Sequence, residues 1–189
     1  GVEPFYGDEA HRAYLNVLQL NEVSLADSRV LIIGGGDLGL ACLLLDQGSS
    51  RITQFELDEE VVQILSKYLP FTKEGLADDR IKISYGDGFE NLKACEKNSF
   101  DIIIGDLTRE GTLPFGDTLV HEELKRVCSS SGFIVTHYGE GGLDLNSVFA
   151  GFYSENCPSF FCVTESSPDA RVVWSPRPIR GVDYKEKVS

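Results

Sequence analysis

Residues 29–45, RVLIIGGGDLGLACLLL, decide the fold. Arg29 to Gly34 is a short apolar run rich in β-branched residues, the pattern of a strand buried on both faces. Gly34, Gly35 and Gly36 make a turn, and LGLACLLLDQG, residues 38–48, reads as a buried helix that stops at Gly48. Strand, glycine turn and helix in that order open a parallel α/β unit, and a turn without side chains lets a ligand approach its backbone closely. Turns of this kind also serve simply to pack a helix on a strand. They normally receive an anion or a ribose, yet this one carries Asp37. A carboxylate repels an anion, so the group over Asp37 is expected to be a cation.

The alternation continues outward from this unit. RITQFEL (51–57) gives a second strand, and a helix opens at Asp58, whose side chain caps it. Glu59 and Glu60 sit in its positive first turn, and Val61, Val62, Leu65 and Leu69 form its apolar stripe. RIKISYGDG (80–88) and FDIIIGD (100–106) are the third and fourth strands. A helix within residues 113–132 ends in a serine and glycine stop, FIVTHYG (133–139) is a fifth strand, and residues 144–157 read as one more helix. SFFCVTE (159–165) and ARVVWS (170–175) are separated only by the turn-forming SSPD, so they are expected to pair as a hairpin. The expected class is α/β: a Rossmann-like, methyltransferase-type fold with a mostly parallel sheet ending in an antiparallel hairpin. Residues 1–28 are expected to be an N-terminal lead-in, 29–176 the Rossmann-like domain, and 177–189 a C-terminal tail.

Composition narrows the function. A length of 189 residues with 42% hydrophobic content suits one domain with a real core. No apolar run approaches the roughly 20 residues that span a bilayer, and GVEPFYGDEAHR lacks a signal-peptide layout, so a cytoplasmic protein without membrane partners is expected. The chain starts at Gly1 and holds no methionine, as expected of a trimmed or excised part of a longer protein. Cys42, Cys95, Cys128, Cys157 and Cys162 form no C-x-x-C pair and are expected to be reduced thiols, and His11, His121 and His137 are dispersed, so no metal site is expected. The net charge of −13 disfavours nucleic acid and favours cationic ligands.

In an open parallel sheet, ligands bind beyond the carboxyl ends of the strands. Acids fall at four consecutive ends: Asp37 in the turn after strand one, Glu56 closing strand two, Asp87 before Gly88 after strand three, and Asp106 after strand four. Glu56 suits both hydroxyls of a ribose, or is a solvated strand end. Asp87 suits an exocyclic adenine amine, or caps the next helix. Asp106 suits a base or an amine anchor, or is a turn residue.

Together these residues resemble the polyamine aminopropyltransferases, the spermidine and spermine synthases. The family's GGGDGG turn stands here as Gly34-Gly35-Gly36-Asp37-Leu38-Gly39, its ribose acid as Glu56, its adenine-side pair as Asp87-Gly88 and its catalytic aspartate as Asp106. The form DLT at residues 106–108 is closer to the spermine synthase branch. The resemblance implies transfer of an aminopropyl group from decarboxylated S-adenosylmethionine, a co-substrate rather than a bound cofactor, to a polyamine, releasing methylthioadenosine. It allows a homodimer. Asp37 would then bind the donor's bare ammonium, and Asp106 would position and deprotonate the acceptor amine. Four places depart from the family. Arg12 replaces a tyrosine and Tyr14 lies two residues out of register. Ser167 stands where a tyrosine precedes Pro168, and Arg109 replaces a second acid after strand four. Members also carry a β-rich module ahead of the domain, where this chain has residues 1–28. An S-adenosylmethionine-dependent methyltransferase and a non-catalytic regulatory or assembly relative are the alternatives.

Overall fold

The run Val30 to Ile33 is buried throughout, and the strand it forms, β1 (Arg29–Gly34), has a neighbour on each edge. A computed structural model of the chain describes residues 9–20, 22–106, 118–138, 159–164 and 167–174. Around β1 are α1 (Glu9–Leu20), α2 (Gly39–Asp46), β2 (Arg51–Glu56), α3 (Glu59–Tyr68), α4 (Pro70–Ala77), β3 (Ile81–Tyr85), α5 (Gly88–Ala94), β4 (Phe100–Asp106), α6 (Thr118–Val127), β5 (Cys128–Tyr138), β6 (Ser159–Thr164) and β7 (Ser167–Trp174). The described strands form a seven-stranded sheet in the order β3-β2-β1-β4-β5-β6-β7. All pairings are parallel except β6 with β7, so the expected fold class and the closing antiparallel pair are both found.

Because side chains alternate across a strand, β1 feeds two cores. Val30 and Ile32 pack with Tyr14, Leu18, Leu40, Leu44 and Ile104 on the face covered by α1 and α2. Leu31 and Ile33 pack with Phe55, Leu92, Ile103 and Leu124 on the face covered by α5 and α6. Helices on both faces explain why β1 and β4 read as unbroken apolar runs rather than alternating ones.

Five local features differ from the sequence reading, the first being β7, which starts at Ser167 inside the SSPD segment expected as a turn, so that Thr164 pairs with Ser167. The lead-in contains a helix, α1, whose His11, Tyr14, Leu15 and Leu18 share one buried face; two of those four positions are polar or amphipathic, which blunts the apolar period. A short helix, α4, follows α3 directly with Pro70 in its first turn, where a missing N–H costs nothing. On α3, Val62 is buried, whereas Val61 is exposed alongside Leu57, Ile64 and Tyr68, so the inward stripe is narrower than expected. Finally, the serine and glycine run after α6 is part of β5. Phe100 pairs with Cys128 and Ile102 with Phe133, so the intervening residues bulge. Gly132 is needed there, since a Cβ would come within 2.5 Å of Cys128 Sγ and 2.8 Å of the Asp101 carbonyl. The expected helix at 144–157 and the tail at 177–189 lie outside the described residues.

The α5–α6 side is fastened by one cation. Arg126 donates to the carbonyls of Leu92 (2.9 Å), which also accepts the capping Cys95 N–H, and of Cys95 (2.8 Å) at the end of α5, and pairs with Glu123 at 2.7 Å. Arg126→Ala is expected to lower the unfolding free energy by about 1.5 to 3 kcal/mol, the range for hydrogen bonds to a charged group. A urea midpoint that falls at constant slope would show it, and an unmoved midpoint would mean that water replaces the guanidinium.

Candidate active site

The carboxyl ends of the first four strands finish level. Ile33 lies opposite Phe55, Gly34 opposite Asp106 and Glu56 opposite Tyr85, which brings the strand-end acids to one edge of the sheet. The glycine turn runs along that edge with Gly34 and Gly35 at φ of 90° and 69°, a left-handed conformation that glycine adopts without strain. A Cβ on Gly35 would stand 2.8 Å from Asp106 Oδ2, and one on Gly36 would stand 2.8 Å from Glu56 Oε2. The two carboxylates therefore rest against bare backbone, and a side chain at either place would have to displace them.

The turn is braced from beneath by a residue the sequence reading did not single out. Gln54, fully buried in the middle of β2, donates its amide to the carbonyls of Gly34 (2.9 Å) and Gly35 (2.5 Å). Its signal was a lone polar residue inside the apolar strand RITQFE. Asp37 follows, with Gly39 N–H donating to its Oδ1 at 2.8 Å and the Thr72 hydroxyl donating to its carbonyl. The charge thus sits at the amino end of α2, where the helix dipole favours it. Leu38 holds a left-handed φ of 63° where the resembled pattern has glycine. That conformation costs about 1 to 2 kcal/mol. Complete burial of the leucine, worth about 1.5 to 3 kcal/mol, offsets it.

Glu56 accepts the Asp58 N–H on Oε1 (3.1 Å), and Asp58 in turn caps α3 by accepting from Glu60 N–H (2.8 Å), as its sequence suggested. The Glu56 carbonyl accepts from Gly86 N–H at 2.9 Å, tying the turn that carries Asp87 to the end of β2. Burial, with smaller help from Glu59 and Glu56, raises the Tyr85 phenol, which stays a neutral donor at neutral pH. Asp87 is exposed and takes the capping role for α5: Phe89 N–H (2.9 Å) and Glu90 N–H (3.0 Å) both donate to its Oδ1. Gly88 opens that helix. Asp87 lies one strand farther along the edge than Glu56, whereas Asp37, Glu56 and Asp106 all border the glycine turn.

Asp106 meets a partner that sequence alone did not supply. His11 Nε2 lies 3.2 Å from its Oδ2, with the imidazole almost fully buried. One turn along the same helix, Tyr14 donates its hydroxyl to the carbonyl of Gly105 at 2.9 Å. A Cβ on Gly39 would lie 3.3 Å from the His11 ring and 3.4 Å from Asp37 Oδ1, so the His11 ring and the Asp37 carboxylate both border this glycine at the start of α2. Arg12 is exposed, and Tyr14, buried against β4, is a structural clamp; Arg109 and the side chains of Ser167 and Pro168 lie outside the described residues.

Cys42, Cys95 and Cys128 are free, and burial raises the Cys42 thiol to about 11, so it remains protonated and inert. Among the described residues no three His, Cys, Asp or Glu are grouped to hold a metal, and no helix is long and apolar enough to cross a membrane.

Residues 17–165 match the spermine/spermidine synthase domain. A polyamine aminopropyltransferase of Ruegeria sp. (strain TM1040) is 39% identical over 119 residues, covering 60% of this chain and 41% of that protein. Another from Streptococcus uberis is 35% identical over 140 residues, covering 70% and 47%. A spermidine synthase solved in complex with the transition-state analogue AdoDATO superposes with a TM-score of 0.52 at 27% identity, covering 64% of this chain and 44% of that one. The chain thus spans less than half the length of these relatives.

Proposed function

The chain belongs to the spermine/spermidine synthase family, and from that premise we propose that its site transfers an aminopropyl group from decarboxylated S-adenosylmethionine to a polyamine, releasing methylthioadenosine. The observation that carries this reading is the set of three carboxylates bordering a bare glycine turn, two of them against its backbone: Glu56 at Gly36, Asp106 at Gly35, and Asp37 at the head of α2. Glu56, with Oε2 over the turn, is suited to the ribose hydroxyls, and Asp87 with Gly88 to the adenine end. Asp37 is suited to the donor's ammonium. The aminopropyl carbon beside the sulfonium would be attacked by an acceptor amine; the C–N bond forms as the C–S bond breaks, and methylthioadenosine leaves with the electron pair. That amine is protonated at neutral pH and must first lose a proton, which Asp106 would accept. Alignment and exclusion of water supply the rest, because a sulfonium is already a good leaving group.

A net charge of −13 agrees with two cationic substrates and with the absence of a nucleic-acid role. The Asp106-Leu107-Thr108 form favours the spermine synthase side of the family. A cytoplasmic homodimer completes the reading.

Choice of donor tests it. Full S-adenosylmethionine would bring its carboxylate towards Asp37, and like charges about 4 Å apart repel by about 4 kcal/mol at an effective dielectric of 20. A quarter to a half of that, after screening, gives a preference of roughly five- to thirtyfold for the decarboxylated donor. Asp37→Asn keeps an oxygen for the Gly39 N–H, so the turn should survive while the preference shrinks. Competitive titration of both donors against the two proteins reads this out. Equal or tighter binding of S-adenosylmethionine by the wild type would point to a methyltransferase or a vestigial pocket and overturn the reading.

A further inference from the structure

The amino-terminal helix α1 touches the carboxyl end of β4 at two successive residues. Tyr14 fixes the backbone at Gly105 and His11 meets the side chain of Asp106, both from one buried helix face, since positions three apart on a helix are neighbours. A carboxylate only accepts, so the ring nitrogen facing Asp106 Oδ2 carries a hydrogen and donates it. We infer that His11 is a positioning residue for the transfer reaction: its Nε2–H fixes Oδ2 of Asp106 against the Gly35 backbone and so directs Oδ1 at the attacking amine. This rests on the proposed role of Asp106 as the acceptor of the amine's proton.

The physical case is one of angle. Asp106 ends its strand, and a terminal carboxylate can swing about its χ angles unless something opposes it. On one side Oδ2 is against the Gly35 backbone, and on the other it meets a ring whose freedom burial restricts, since His11 lies against Asp106 and the start of α2. Proton transfer from an ammonium needs donor and acceptor in hydrogen-bond reach, and a displacement of about 1 Å costs on the order of a hundredfold in rate.

Two substitutions separate the hydrogen bond from mere packing. His11→Phe keeps a planar aromatic ring, somewhat larger than imidazole, and removes the donor; His11→Gln places an amide hydrogen near the same point and removes the ring. With decarboxylated donor and a polyamine, His11→Phe should lower kcat by about tenfold or more. Its donor KM, its calorimetric affinity for methylthioadenosine and its melting temperature should stay near those of the wild type. His11→Gln should recover most of kcat. Full activity in His11→Phe, or an equal loss in both variants, would overturn the assignment. Absence of aminopropyl transfer in the wild type would instead defeat the proposed function. In that case the clamp is read by NMR: a downfield, slowly exchanging imidazole Nε2–H signal that disappears in Asp106→Leu supports it, and a signal indifferent to that change refutes it.

Discussion

Asp106→Asn is expected to lower turnover by about a hundredfold or more while donor affinity stays nearly constant. The change removes a charge and a proton acceptor at almost constant shape, and the asparagine oxygen can still receive the His11 Nε2–H, so the end of β4 should keep its geometry. What would be lost is the ability to take a proton from the acceptor's ammonium before the resulting amine attacks, a contribution typically worth about 10² to 10⁴ in rate. Because the donor's nucleoside would be held by Glu56 and the glycine turn, a binding measurement with methylthioadenosine should hardly move. A loss confined to kcat therefore marks Asp106 as acting in the chemical step. Collapse of donor binding with turnover intact would make Asp106 a donor ligand, and the base would have to lie elsewhere.

Glu56→Gln addresses the other half of the site. Its Oε1 accepts a backbone N–H from Asp58, a bond that glutamine can keep, so the start of α3 should remain in place. The charged acceptor suited to a ribose hydroxyl is gone, at a cost of about 1.5 to 3 kcal/mol, which is roughly ten- to a hundredfold in affinity. Calorimetry with methylthioadenosine should show that drop without a change in melting temperature. Unchanged affinity would remove Glu56 from the nucleoside site.

These experiments rest on residues that were legible in the sequence because each closes a strand. β1 and β4 have the bounds that the sequence indicated, Arg29–Gly34 and Phe100–Asp106, since each is an apolar run cut off by glycine or an acid. From there the position of an acid at the carboxyl edge follows from topology. Contacts between such ends do not follow. His11 and Asp106 are far apart along the chain, and nothing local to either announces the other. α1 was hidden because histidine and tyrosine take inward places that apolar periodicity expects leucine to fill. α4 was hidden by Pro70 and Gly75, which look like breaks, although one sits harmlessly in a first turn and the other makes room for Leu38. The start of β5 was misplaced because serines and a glycine suit a helix stop as well as a bulged strand.

The order of the sheet carries a consequence for how the molecule comes into being. β1 pairs with β2 nearby in sequence, yet its other edge waits for β4, with Val30 meeting Ile102 and Gly34 meeting Asp106. Closing so long a loop before its contacts can stabilise it slows folding, as in any protein dominated by non-local pairings. A nascent chain emerging amino end first would expose His11, Tyr14 and the glycine turn well before the strand that completes them is made. The strand-end site would then exist only in a finished fold, and a chain stalled before β4 would be unassembled, with an open apolar strand edge ready for a chaperone or a neighbouring chain.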